Sequence, residues 1–251
     1  MNKLVLNLSV IILLFSCATK KDVLLFQDKE KINASINYIA PKIQVNDILS
    51  IKVSALNPEL ASPYNINSQT SSETQLETLK LQGYLVGTSG TINFPILGVI
   101  KVAGKTTQEL EVKIIDILEK GNHLLDPKVN VRLLNGKVTV LGEVNTPGTY
   151  SFTEQNISVI QAIGMAGDLT IKAKRKEVLL IREVDGQRSY TTLDLTQADW
   201  FSSDFFYVKQ NDVIVVNPNN SRIKNAGYVS EPSTLISMAS IILSMIIILT
   251  R

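Results

Sequence analysis

The chain has 251 residues, a formal net charge of +2, and one each of Cys, His and Trp. That length carries one large domain or two small ones, and 45% hydrophobic content is enough for a real core. Twenty-five basic residues against 23 acidic ones argue against a nucleic-acid tracker, and a lone Cys rules out an internal disulfide, a dithiol redox pair and a cysteine-rich zinc site. With a single His there is no His-based metal centre; no metal, cofactor or catalytic residue is assigned, and the composition leans away from an enzyme.

Apolar residues concentrate at the two ends. Lys3 is followed by an uncharged run over 4–16, too short to span a membrane, which predicts a secretory signal peptide over 1–16. The run closes on Leu14-Phe15-Ser16-Cys17, which resembles a bacterial lipobox, with Phe15 where a small residue is usual. The resemblance implies cleavage before Cys17, diacylglycerol on its thiol and an acyl chain on the new amine. Three chains hold far more firmly than one, since each buried CH₂ contributes about 0.8 kcal/mol. Ala18, in place of Asp, implies sorting to the outer membrane, with 17–40 as the lipid-anchored N-terminal segment. The alternative is an ordinary secretory signal in which Cys17 is incidental.

From Pro41 the pattern changes to short strands, with apolar residues at period two through Ile48-Leu49-Ser50-Ile51-Lys52-Val53. The polar stretch from Asn57 to about Gln82 reads as a long surface loop. Tyr84–Gly87 and Thr91–Pro95 read as a hairpin turned at Ser89-Gly90. Thr106-Thr107-Gln108-Glu109 fits a capping box that opens a helix with Leu110, Ile114 and Ile117/Leu118 on one face, closed near Gly121. Gly90, Gly98, Gly104 and Gly148 mark tight turns, and Pro95 and Pro147 punctuate strand ends.

The run from Gly90 to Thr106 (GTINFPILGVIKVAGKT) resembles the signature of bacterial polysaccharide export outer-membrane proteins, with Ser89 where Asp usually precedes the first Gly. Val140-Leu141-Gly142-Glu143-Val144 with Pro147-Gly148-Thr149-Tyr150 resembles the opening of the soluble-ligand-binding β-grasp module that follows in that family. A helix over 158–166, ending in Gly167-Asp168 where Gly-Gly is common, and a closing strand at Asn211–Val216 fit the same order. The implied fold is α+β: a small mixed α/β export domain over 41–134, one β-grasp domain over 135–226, and a C-terminal transmembrane helix over 227–251.

The search for chemistry finds little. Gly83, Gly87 and Gly90 lack the spacing of a phosphate loop, as do Gly164 and Gly167. His123 lies in a loop after a helix. Nothing in the sequence pairs Glu143, Asp168, Asp185 or Asp194 as a glycosidase would require. Lys172, Lys174, Arg175 and Lys176 form the densest basic cluster: either an exposed loop, or a ring of charge that meets an acidic polymer or a partner once the subunit repeats.

Pro232–Thr250 is uncharged, and as a helix its nineteen residues reach about 28 Å, just enough for a hydrocarbon core of about 30 Å. Ser233, Ser237, Ser240 and Ser244 fall within an arc of roughly 60° on that helix, suited to close helix packing or to a wet lumen. The family resemblance implies the lumen. It also implies an outer-membrane lipoprotein, mostly periplasmic, that forms a homo-oligomeric ring exporting capsular or exopolysaccharide. Its implied partners are an inner-membrane polysaccharide co-polymerase of tyrosine-kinase type, the exported polymer and outer-membrane lipid, with no nucleic acid. Two alternatives stay open: a membrane-anchored saccharide-binding module without a pore, and an envelope glycan hydrolase.

Overall fold

Among the described residues the strands pair into three sheets, of three, two and five strands, packed around two cores. The computed structural model describes residues 20–32, 38, 40–66, 76–184 and 186–220, with 236, 237, 239–241, 244, 245 and 248 near the C-terminus. The first half runs β1 (Ile48–Ser54), α1 (Pro58–Ala61), α2 (Leu76–Leu81), β2 (Tyr84–Leu85), β3 (Thr91–Phe94), β4 (Gly98–Lys101), α3 (Thr107–Lys120) and β5 (Lys128–Leu133). β1 lies between β2 and β5, antiparallel to both, and turns Leu49, Ile51 and Val53 inward. Against them α3 packs Leu110, Ile114 and Leu118. Its capping box forms as read: the Glu109 amide donates to Thr106 Oγ1 (3.1 Å) and the Thr106 amide to Glu109 Oε2 (2.9 Å).

Two local expectations change. The chain does turn at 87–90, where the Gly90 amide donates to the Gly87 carbonyl at 2.8 Å, but β2 and β3 do not form the hairpin. β2 pairs with β1, while β3 pairs with β4 across Pro95-Ile96-Leu97, which reverses the chain within three residues. The stretch 57–82 is not wholly loop. Asn57 caps α1 by accepting from the Glu59 amide (3.1 Å), Pro58 opens the helix, and Ala61 and Tyr64 are buried beneath β1. Gly90 takes φ +72°, and a Cβ there would lie 2.7 Å from Ala103 Cβ, so the motif needs glycine. Gly98 and Gly104 also have positive φ, whereas Gly148 does not.

The second half runs β6 (Lys137–Gly142), β7 (Gly148–Ser151), α4 (Val159–Met165), β8 (Ala173–Val184), β9 (Gln187–Leu193) and β10 (Val213–Pro218). The sheet order is β7-β6-β10-β8-β9, with β6 and β10 parallel and every other pair antiparallel. α4, capped by Ser158 and Gln161, packs Val159, Ala162 and Ile163 onto Val138, Val140, Leu180 and Ile214. Gly142 ends β6 at φ +91°; a Cβ there would meet the Val216 carbonyl at 2.1 Å, so the parallel pair can close only on a glycine. Residues 20–32 strap this half: the Phe26 and Gln27 amides donate to the Leu195 and Thr196 carbonyls, and Leu25 and Phe26 pack on its core.

The spanning helix read over 227–251 lies for the most part outside the described residues. Among the described residues no helix is long and apolar enough to cross a membrane.

One buried ion pair ties three segments of the second half together. Arg182 and Asp212 are 4% and 0% exposed. The Arg182 guanidinium donates to both Asp212 oxygens (Nε at 3.1 Å to each, Nη2 at 2.7 Å to Oδ2) and to the Asp204 and Tyr207 carbonyls (3.0 and 2.7 Å). The carboxylate also accepts from the Lys209 amide at 2.8 Å. Removing one partner strands the other charge in the interior, which costs about 3–5 kcal/mol. Arg182→Met is therefore expected to lower the urea midpoint of the full chain by a matching amount. A loss under about 1 kcal/mol would show that water reaches Asp212.

Candidate inter-half cleft

A concavity opens between the halves, with a volume of about 1220 Å³. One wall comes from the chain entering β1 and from β5, with Lys42, Asp47 and Arg132. The other comes from the loop over 201–210, with Phe201, Tyr207 and Lys209. That loop is the segment whose carbonyls the Arg182 guanidinium holds. Tyr38 crosses between the halves and stacks on Tyr207, ring centroids 5.8 Å apart.

The junction is clasped at Asn135. Its Oδ1 accepts from the Ile48 amide (2.8 Å) and its Nδ2 donates to the Asn46 carbonyl (2.9 Å), both in the first half. Its own carbonyl accepts from Gln210 Nε2, and Gln210 Oε1 accepts from the Lys137 amide (2.7 Å) in the second. The cleft is mixed in charge. Lys42, Arg132 and Lys209 make no ion pair among the described residues. Asp47 is 2% exposed; one oxygen accepts from the Gln44 amide at 2.8 Å and the other has no hydrogen-bond partner among the described residues. Burial pushes its carboxyl up to about 6.

The residues singled out in the sequence do not gather here. Cys17, Ser233 and Asp185 lie outside the described residues. Ser237, Ser240 and Ser244 are helical; Ser240 Oγ donates to the Ser237 carbonyl and Ser244 Oγ to the Ser240 carbonyl, each at 2.8 Å. The basic cluster is not a free loop. Lys174, Arg175 and Lys176 belong to β8. Arg175 is 7% exposed and donates to the Ala173 and Thr170 carbonyls, so it cannot contact a polymer; burial lowers its pKa. Lys174 pairs with Glu177 (2.6 Å) and Lys176 with Asp22 (2.7 Å).

His123 Nδ1 sits 3.1 Å from Tyr64 Oη beneath an edge-on ring contact, a packing role. Glu143 accepts from Thr170 Oγ1 across 27 residues, while Asp168 accepts from the Leu169 amide and Asp194 from Thr196 locally, so each carboxylate has a separate partner. Among the described residues no three His, Cys, Asp or Glu side chains gather as a metal site.

Sequence reasoning missed the cleft, Asp47, the Asn135 clasp and the Arg182–Asp212 pair. Only the last left a trace. Arg182 continues the buried row Val178, Leu180 and Asp212 precedes the buried row Ile214, Val216, which places two opposite charges at the same step of paired strands.

Residues 38–134 match the family described as polysaccharide biosynthesis/export protein, and residues 137–192 match the SLBB domain. The EPS I polysaccharide export outer membrane protein EpsA of Ralstonia solanacearum is 30% identical over 202 residues, which cover 78% of this chain and 52% of the relative. The protein of that name from Ralstonia nicotianae is 31% identical over 205 residues, with the same shares covered. The exopolysaccharide production protein ExoF of Rhizobium meliloti is 35% identical over 88 residues, 34% of this chain and 21% of its own length. The two matched modules, in this order, place the chain among proteins that join an export module to an SLBB domain. It belongs to the bacterial polysaccharide export outer-membrane protein family. The chain spans about half the length of the EpsA relatives it matches.

Asp47 gives the cleft a pH signature. Its folded pKa of about 6 stands above the ordinary 3.8, so the folded state holds a proton that the unfolded chain releases. The stability this confers is present below about pH 4 and is lost as pH rises through 6. Asp47→Asn keeps an oxygen for the Gln44 amide and removes the buried charge. It is expected to raise stability at pH 7.5 by about 2 kcal/mol and to flatten the rise in melting temperature expected of the wild type between pH 7.5 and 4.5. Parallel pH profiles for the two proteins would count against a desolvated Asp47.

Proposed function

We propose that this chain is an outer-membrane lipoprotein whose copies assemble into a ring through which capsular or exopolysaccharide leaves the cell. The observation that carries the reading is the succession of matches, an export module over 38–134 followed by an SLBB domain over 137–192. The names of the EpsA relatives, which combine polysaccharide export with the outer membrane, support it. In this reading Cys17 carries the lipid, the first half (41–134) forms the ring, and the second half (135–226) is a β-grasp module stacked on it in the periplasm. The mixed sheet with its parallel β6–β10 pair and one covering helix supports that assignment.

The segment 227–251 then supplies the membrane-crossing helix of each copy, with Ser233, Ser237, Ser240 and Ser244 toward the lumen. The hydroxyls of Ser240 and Ser244 satisfy themselves on their own helix while their lone pairs stay free to accept from water, which suits a wet surface on an otherwise apolar segment. The transport step is passive for this chain. It provides a hydrophilic conduit, with the drive coming from polymer synthesis and an inner-membrane co-polymerase of tyrosine-kinase type.

One observation favours a second reading, a saccharide-binding module without a pore: the cleft combines stacked tyrosines with Lys42, Arg132 and Lys209, which make no ion pair among the described residues, groups suited to an acidic sugar. The oligomeric mass and bilayer conductance of the detergent-extracted full-length protein, beside a form truncated after Gly227, separate the two. The conduit reading expects a large discrete ring whose conductance disappears on truncation. Monomers in both forms would sink it and favour the binding module. Within the conduit reading, Ser240→Leu is expected to leave membrane insertion intact and to block export; normal export in that variant would place the serines away from the lumen.

A further inference from the structure

Both stretches of chain that lead toward apolar ends depart from one place, the start of β8. On the N-terminal side, Lys20–Asp22 forms a turn against β8, locked by the 2.7 Å pair between Asp22 and Lys176. Behind it the strap is fixed firmly, with the Ala198 amide donating to Asp28 Oδ1 at 2.6 Å and Phe26 edge-on to Phe201 at 5.2 Å. On the C-terminal side, β10 ends at Pro218 opposite Ala173, and the Asn219 amide donates to the Lys172 carbonyl at 2.8 Å. Lys20 stands three residues after Cys17, a reach of at most about 11 Å. Any lipid on Cys17 therefore keeps Lys20 within that distance of the anchored chain end, and the turn it opens packs against β8.

The same end of the second half is rich in lysine. Lys20, Lys21 and Lys172 make no ion pair among the described residues. Lys174 faces Glu177, and Lys176 faces Asp22 with Asp194 also near, leaving a surplus of two positive charges beside Ile171, an apolar side chain that is 67% exposed. A compact set of ammonium groups around an exposed aliphatic side chain suits a headgroup layer, where phosphates meet the charges and the aliphatic group sinks toward the acyl boundary.

We infer that Lys20, Lys21, Lys172, Lys174 and Lys176 form a collar that docks the second half onto the phosphates of anionic phospholipids in the membrane holding the anchor. The collar, not the polymer, is what these lysines serve. The inference rests on the reading of Cys17 as the lipid-bearing residue, and it adds to that reading an orientation, with β8's start at the membrane and the first half directed away from it.

The test uses the full-length protein in vesicles of phosphatidylethanolamine and phosphatidylglycerol that carry a headgroup spin label. Cys17 is the only cysteine, so an acylated wild type takes up no thiol-reactive dye. Ile171→Cys and, in the first half, Val99→Cys (73% exposed) then each carry a single fluorophore. The collar expects at least about threefold stronger quenching at 171 than at 99, falling by about half when phosphatidylcholine replaces phosphatidylglycerol. Quenching at 171 no stronger than at 99 overturns the orientation, and quenching at 171 that ignores lipid charge overturns the headgroup contact. Dye uptake by the wild type would instead overturn the anchor on Cys17 and with it the tether argument.

Discussion

Two opposite charges taken out of water, Arg182 and Asp212, govern the wall on which the inter-half cleft depends. Desolvation pushes the Asp212 carboxyl up while the guanidinium and the Lys209 amide pull it down; burial is the larger influence, so the pair sits in the interior at a cost. An apolar pair of similar volume would serve the core at least as well. What an apolar pair could not do is hold the Asp204 and Tyr207 carbonyls, which fixes an irregular loop in one shape without secondary structure of its own. Tyr207 then offers its face to Tyr38, and Lys209 and Gln210 follow in set positions.

From that wall the organisation of the molecule extends outward by short polar contacts. The Asn135 side chain satisfies backbone groups of the first half and the Gln210 side chain those of Asn135 and Lys137, so the passage from β5 to β6 is neither a free linker nor a packed core. The strap over 20–32 covers the other side of the 194–201 stretch, with Asp28 and Phe26 as its fixed points. The loop lining the cleft is thus held from behind by the strap, from within by Arg182 and from the side by Asn135.

Much of the fold was legible because it rests on local rules. The capping box at Thr106 appears as read, since a cap requires only residues three apart. The alternation through β1 appears because one face of that strand is buried. Failures came where distance in sequence mattered. The partner of β2 is β1, some 35 residues earlier, and nothing local in Tyr84-Leu85 announces it. Lys174–Lys176 looked like a loop because its charges mask a strand in which Arg175 turns inward. The cleft could not be read at all: its walls come from segments some 160 residues apart, joined by the stacking of Tyr38 on Tyr207. The family signature, by contrast, was legible as order, and Gly90 and Gly142 show why, each occupying a place where a side chain would strike its neighbour.

The first half is inserted between the strap and β6, so the chain passes between the halves twice, once on the way in near Tyr38 and Ala40 and once on the way out at Asn135. A body attached at one point can swivel about any axis, but one attached at two points keeps chiefly the rotation about the line that joins them. Two attachments therefore resist every relative rotation of the halves except the one about the line that joins them, and the contacts at Tyr38–Tyr207 and Asn135 oppose twisting of one module against the other.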